Sequence, residues 1–215
     1  MPKIRLAVFD MDGTLLQARS CWAHLHEHFG TDNSKMLRQY IEHKVTDEEF
    51  VQADIDMWEK NSNRTVNEEY INSILDEIEP IEGAEDLILA LHREGIQTAI
   101  ISGGIQYLAD KWTIKWNMEE AIANELTDGD NGHLKFTIRA SGHAKGPVMD
   151  RLLEKLKMSR EEVVAIGDTV VDIPLFERAT LGIAVNTDNS KVIEKADYHL
   201  KEKDLRKLIP LITNW

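Results

Sequence analysis

Four short apolar runs constrain the fold of this chain more than any other feature. Ile4 to Phe9, Gln97 to Ile101, Val163 to Ile166 and Leu181 to Val185 are each of strand length and lack polar alternation. A strand with one wet face alternates, so runs of this kind suit strands buried on both faces of a parallel sheet. Parallel neighbours need long crossovers, and helical spacings lie where those belong. Leu87 and Leu91 precede the second run, Val148, Leu152, Leu153 and Leu156 precede the third, and Val192, Ile193, Leu205, Leu208 and Ile209 follow the fourth. Strands alternating with helices predict a doubly wound α/β sheet.

Two stretches break the alternation. Between Gln17 and Pro80 no strand run occurs, while apolar residues recur at helical spacing around Trp22, Leu25 and Phe29, then Met36 to Ile41, then Phe50 to Trp58, then Tyr70 to Ile78. This predicts about four helices inserted directly after the first strand. Asp47-Glu48-Glu49 behind Thr46 reads as the acidic first turn of one of them. From Ala121 to Arg139 a Gly- and Asp-rich centre, Asp128 to Gly132, divides two short apolar segments and predicts a small β-hairpin. The expected organisation is a core of residues 1–16 and 81–215 with a helical cap of residues 17–80.

Charge and cysteine content narrow the partners. With 25 Lys and Arg against 38 Asp and Glu the formal charge is −13, unsuited to displacing counterions from a phosphate backbone or an anionic membrane. Residues 17 to 80 alone hold 14 acids and 6 bases. A single cysteine, Cys21, excludes an internal disulfide framework, and no apolar stretch is long enough to span a bilayer. The expectation is a soluble, cytoplasmic protein, monomeric or homodimeric, with no nucleic-acid and no membrane partner.

The chemistry lies at the strand ends. The first run ends in Asp10-Met11-Asp12-Gly13-Thr14, and in an open α/β sheet ligands bind outside the carboxyl ends of the strands. Alternation turns Asp10 and Asp12 to one side, and two adjacent acids suit a hard cation such as Mg²⁺. The second run ends in Ser102-Gly103-Gly104, read as a hydroxyl and backbone N–H groups at a helix start, a phosphate cradle. Lys145 stands ahead of Pro147 at another helix start, and the third run ends in Gly167-Asp168, with Asp172 four residues on.

These four elements, in this order, resemble the haloacid dehalogenase superfamily of phosphohydrolases. The helical insertion, the Ser-Gly-Gly triplet and Ala144-Lys145-Gly146 resemble its phosphoserine phosphatase branch, a Rossmann-like core with an inserted helical cap. The resemblance implies a Mg²⁺-dependent phosphomonoesterase for a small phosphorylated metabolite. In it Asp10 is the nucleophile that forms an aspartyl-phosphate, and Asp12 is the general acid and base. Thr14, Ser102, Gly103 and Lys145 contact the phosphoryl group. Asp10, the carbonyl of Asp12, Asp168 and Asp172 serve the metal.

The sequence departs from that branch where the substrate is recognised. Arg19 stands where the branch carries a Glu for the serine amino group. The stretch Gln52-Ala53-Asp54-Ile55-Asp56 offers no arginine for the serine carboxylate, and Val171 replaces an Asn. Arg19 therefore joins the candidate substrate-binding residues, and phosphoglycolate, a sugar phosphate or phosphoethanolamine stand beside phosphoserine as substrates. A phosphate-accepting signalling module is the rival class; Asp12 argues against it, because a second acid hydrolyses the acyl phosphate that a switch must keep. In the cap, Cys21, His24 and His28 share a helical face and are zinc-ligand types lacking a fourth donor. Trp58, Trp112 and Trp116 are read as core packing, with an aromatic wall for a cationic substrate as the alternative.

Overall fold

The computed structural model describes residues 3–129, 132–141 and 144–215. Strands β1 (Leu6–Phe9), β2 (Gln97–Ile105), β3 (Glu120–Asp128), β4 (Leu134–Thr137), β5 (Val163–Gly167), β6 (Leu181–Val185) and β7 (Tyr198–Leu200) form one sheet in the order β4-β3-β2-β1-β5-β6-β7. Strand β1 is central and pairs in parallel with β2 and β5. Among the described residues only the β3–β4 pair is antiparallel. The doubly wound reading of the apolar runs therefore holds.

Alternate side chains of each strand feed two separate cores. Ala7, Phe9, Ile100, Val164 and Ile166 join one, and Leu6, Val8, Ala99, Ile101, Val163 and Ala165 join the other. Helices α7 (Lys145–Leu156), α8 (Ile173–Phe176) and α9 (Ser190–Lys195) cover the second face. On the first lie α5 (Ala84–Arg93), α6 (Gln106–Trp116) and α10 (Ile209–Thr213). Both faces being dry explains why the strand runs carry no polar alternation.

Four helices follow β1: α1 (Cys21–Phe29), α2 (Ser34–Ile41), α3 (Asp47–Asn61) and α4 (Glu68–Leu75). Their boundaries follow local chemistry. Ser20 caps α1, Gly30 ends it at φ 61°, and Thr46 with Glu49 forms a capping box on α3 behind the acidic turn Asp47-Glu48-Glu49. The two chain segments that lead into and out of these helices run side by side. Gln17 N–H donates to Glu79 O at 2.9 Å and Ile81 N–H to Leu15 O at 2.8 Å. Leu25, Phe29, Ile55, Trp58 and Ile71 continue the first core outward, whereas α2 buries no residue.

The tryptophans are packing residues. Trp58 is buried and stacks between Trp22 (ring centroids 5.8 Å apart) and Phe29 (5.9 Å), and Trp112 packs on Trp116 at 4.8 Å. Trp58 Nε1 donates to His26 Nδ1 at 3.2 Å, while His26 Nε2 lies 3.0 Å from the buried carboxylate of Asp54.

Two local readings change. Ser102-Gly103-Gly104 does not open a helix: β2 runs on to Ile105 and α6 starts at Gln106. The strand bulges here, because Ile101 pairs with Ile122 but Ile105 pairs with Asn124, so four steps on β2 match two on β3. The hairpin is also more than a hairpin. Residues Glu120 to Ile122 of β3 continue the parallel sheet, and only Glu125 to Asp128 pair with β4; Asp130 and Asn131 of its tip lie outside the described residues.

Candidate active site

The carboxyl ends of β1, β2 and β5 converge. Asp10 leaves β1 with its N–H still bonded to Ile166 O of β5 at 2.9 Å. Its Oδ1 accepts from Met11 N–H at 2.7 Å and lies 2.8 Å from Lys145 Nζ, while Oδ2 has no hydrogen bond among the described residues. Gly13 then turns the chain at φ 74°; a Cβ there would sit 2.4 Å from Asp168 Oδ2, so this position admits only glycine on both counts.

Lys145 stands between two acids. It is 1% exposed, and its Nζ reaches Asp172 Oδ1 at 2.6 Å as well as Asp10. Burial opposes its charge, yet the two carboxylates hold its ammonium well above the ordinary lysine range. Asp172 in turn is saturated. Its Oδ2 accepts from Asp168 N–H at 3.0 Å, Thr169 N–H at 2.9 Å and Thr169 Oγ1 at 3.1 Å. It anchors both the lysine and the turn that carries Asp168. Thr14 Oγ1 donates to Asp168 Oδ1 at 3.0 Å, so Thr14 orients an acid of the cluster.

Ser102 projects from the β2 bulge and is 1% exposed. Its Oγ accepts from Gly104 N–H at 3.1 Å, which leaves its hydroxyl proton to be donated to an anion. Gly104 approaches Asp12 closely: a Cβ there would meet Met11 Cε at 2.7 Å, Cys21 Sγ at 3.0 Å and Asp12 Oδ2 at 3.1 Å.

Asp12 is buried, with Oδ2 held by Cys21 N–H at 2.8 Å and Oδ1 without a hydrogen-bond partner among the described residues. Burial pushes its carboxyl above the ordinary range despite the Cys21 amide. The thiol of Cys21 is raised still further, by burial and by Asp12, and is inert.

Several candidates lie apart. Arg19 is exposed on the loop before α1 and makes no hydrogen bond or ion pair among the described residues. Cys21, His24 and His28 do not form a metal site: Cys21 faces Asp12, His24 Nε2 lies 3.7 Å from Glu77, and His28 Nε2 bonds the Tyr70 hydroxyl at 2.9 Å. Sequence reasoning missed Asn124 and Trp22, which both bond Gly103 O, and Asn186, whose Nδ2 donates to Gly13 O at 2.9 Å. Nothing in their local sequence signals these long-range contacts.

A divalent cation fits this site. Asp10, Asp168 and Asp172 bring carboxylate oxygens within 4.8 Å of one another, an all-oxygen donor set suited to Mg²⁺. One buried lysine does not balance them. Burial, then repulsion from Asp172, raises Asp10 to about 7, and burial with repulsion from Asp10 and Asp172 raises Asp168 to about 8. Acids held up in this way lack a second positive charge.

A buried carboxylate paired with a lysine, a hydroxyl and an acidic cluster at the carboxyl edge of this sheet define a class. The chain belongs to the haloacid dehalogenase-like hydrolases, whose family model matches residues 4–180. Within that class it is similar to the phosphoserine phosphatase of Methanocaldococcus jannaschii, 27% identical over 98% of both chains. It is 30% identical to that of Archaeoglobus fulgidus over 85% of this chain, which spans about half (52%) of that longer relative. Among solved structures it superposes on a phospho-aspartyl intermediate analogue of phosphoserine phosphatase with a TM-score of 0.79 at 26% identity, covering 98% of this chain and 99% of the other. A substrate-bound phosphoserine phosphatase complex gives the same TM-score and identity over 99% and 100%.

Proposed function

We propose that this chain is a Mg²⁺-dependent phosphomonoesterase that works through an aspartyl-phosphate on Asp10. The observation that carries the reading is Lys145, buried between Asp10 and Asp172 while Asp10 Oδ2 stays free to attack. Asp10 Oδ2 forms a bond to phosphorus as the bond from phosphorus to the ester oxygen breaks. Asp12, whose protonated form burial favours, gives its proton to that leaving oxygen. In the second half the Asp12 carboxylate removes a proton from water as the water oxygen attacks phosphorus and releases Asp10. Ser102 donates its hydroxyl proton to the phosphoryl group, and Lys145 favours the ionised form of Asp10 against burial and neutralises developing charge. Asp10, the Asp12 carbonyl and Asp168 would hold Mg²⁺, with Asp172 ordering Lys145 and the turn beside it. The ion supplies positive charge to the phosphoryl oxygens.

The helices of residues 17–80 act as a cap that closes over the substrate and excludes water. The substrate is a small phosphorylated metabolite, met in the cytoplasm, with phosphoserine first because the relatives of known name act on it. Arg19 extends the reading to leaving groups with a further anionic group. The stretch Gln52 to Asp56 supplies no cation: Asp54 is buried against His26, and Gln52 Nε2 bonds Asp56 Oδ1 at 2.7 Å.

Asp10→Asn tests the mechanism. It should abolish Mg²⁺-dependent phosphate release from phosphoserine and from a generic aryl phosphate, with an unchanged circular dichroism spectrum. Near-normal turnover in that variant would refute the assignment. Comparing phosphoserine with phosphoglycolate, sugar phosphates and phosphoethanolamine in the wild-type protein selects the substrate.

A further inference from the structure

We propose that Asn124 is a positioning residue for the phosphate grip, locking the peptide beside Ser102 to the segment that leads to Lys145. The inference rests on the phosphatase reading and adds a residue to it. The β2 bulge takes Gly103 out of the ladder, so its carbonyl loses the amide that β3 would otherwise supply. Two side chains replace that amide. Asn124 Nδ2 donates to Gly103 O at 2.9 Å from β3, and Trp22 Nε1 donates to it at 3.0 Å from α1.

A peptide unit is planar, with its C=O and N–H pointing opposite ways. Pinning Gly103 O therefore aims Gly104 N–H away from Asn124, where it meets Ser102 Oγ at 3.1 Å. That bond occupies a lone pair of Ser102 and leaves its proton for a phosphoryl oxygen. The amide of Asn124 also holds the chain beyond β4. Nδ2 donates to Ala140 O at 3.2 Å, and Oδ1 accepts from Arg139 N–H at 2.9 Å and Ala140 N–H at 3.1 Å. All four valences are used, and the residue is 4% exposed. The Arg139–Ala140 stretch runs toward α7, whose first residue is Lys145. One side chain thus ties the peptide beside Ser102 to the Arg139–Ala140 backbone, and only a primary amide has two donors and two acceptors in that geometry.

The full chain with Mg²⁺ present provides the test, with inorganic phosphate as the probe and calorimetry as the readout, well below each variant's unfolding temperature. Asn124→Asp keeps the acceptors for Arg139 and Ala140 but sets an oxygen against Gly103 O. Asn124→Ser is too short to reach Gly103. Both should weaken phosphate binding about tenfold or more, the scale of one lost hydrogen bond in a buried site. Leu208→Ala, a core truncation in the short helical turn before α10, controls for lost stability and should leave phosphate affinity unchanged. Wild-type affinity in either folded Asn124 variant overturns the proposal, as does an equal loss in Leu208→Ala. Absence of phosphate binding in the wild-type protein overturns the phosphatase reading itself, and this proposal with it.

Discussion

Without divalent cations this protein should lose stability as the pH rises from about 5.5 to about 8.5, and Mg²⁺ should remove that dependence. Asp10 sits at about 7 and Asp168 at about 8, against an ordinary value of 3.8. The unfolded chain has therefore released these protons while the folded one still holds them, and stability falls as pH climbs through the folded values. At about 1.4 kcal/mol per pH unit, Asp10 alone removes about 2 kcal/mol across the window. Asp168, whose value already contains the repulsion from Asp10, adds about 3 kcal/mol on the same arithmetic, about 5 kcal/mol for the pair. For a chain of this length that is an unfolding midpoint lower by about 10–20 °C at the alkaline end.

Asp12, also raised by burial, slopes the same way, while Lys145 and the lowered acids leave the window flat. Lys145 is raised, so its stabilisation is complete below the ordinary lysine value and is lost only at higher pH. Asp150, Asp204, Glu161 and Glu162 are lowered, chiefly by hydrogen bonds from Arg178, from Arg206, from backbone N–H and from Ser159 N–H respectively, and lose their contribution only below about pH 4. The assay is thermal unfolding at several pH values in chelator and in Mg²⁺. A chelated protein whose midpoint is flat or rises across the window refutes the electrostatic account. Equal stabilisation by Mg²⁺ at both ends does the same.

Three further perturbations separate the parts of the site. Lys145→Met should leave Asp10 and Asp172 buried without a cation and cost about 3–5 kcal/mol at neutral pH, read by urea unfolding in chelator. Gly13→Ala should lower Mg²⁺ affinity at least tenfold by calorimetry while the sheet persists, because its Cβ displaces Asp168 Oδ2. Arg19→Ala touches nothing in the fold, so its unfolding free energy should stay within about 0.5 kcal/mol of wild type. The ranking of anionic against neutral phosphate esters should nevertheless change; an unchanged ranking removes Arg19 from substrate recognition.

The parts of this fold that were legible in sequence share one property, a signal carried by adjacent residues. β1, β5 and β6 are buried on both faces and read as unbroken apolar runs, and Thr46 with Glu49 announces α3 through its own side chains. Asp10, Asp168 and Lys145 were found because strand ends and helix starts mark the ligand edge of such a sheet. The misread features depend on partners distant in the chain. Ser102-Gly103-Gly104 reads as a helix start because it closes the apolar run, and only the register against β3 makes it a bulge. Asn124 has no local signature, since its partners Gly103 and Arg139 lie 21 and 15 residues away. The helical face of Cys21, His24 and His28 was assigned correctly as a face, yet each residue meets a different neighbour. β7 is three residues long and only Leu200 in it is buried, too little for any pattern.

The balance of charge in the site favours entry of a cation before a phosphate ester on the proposed reading. Asp10, Asp12, Asp168 and Asp172 ionised against one Lys145 would leave the pocket strongly negative, and a phosphate dianion would meet repulsion inside a chain of net charge −13. A divalent cation would remove most of that excess, and a proton on Asp12, favoured by burial and by an Oδ1 without a partner among the described residues, would remove the rest. On the proposed reading the phosphate ester would bind after the metal, to a site near neutrality in which burial favours the proton on Asp12 that the leaving oxygen needs. In that mechanism, when the leaving group departs with the proton, Asp12 would become a carboxylate again beside the phosphorylated Asp10. The same burial that favoured the acid now makes it a stronger base toward water, so one environment serves both halves of the reaction.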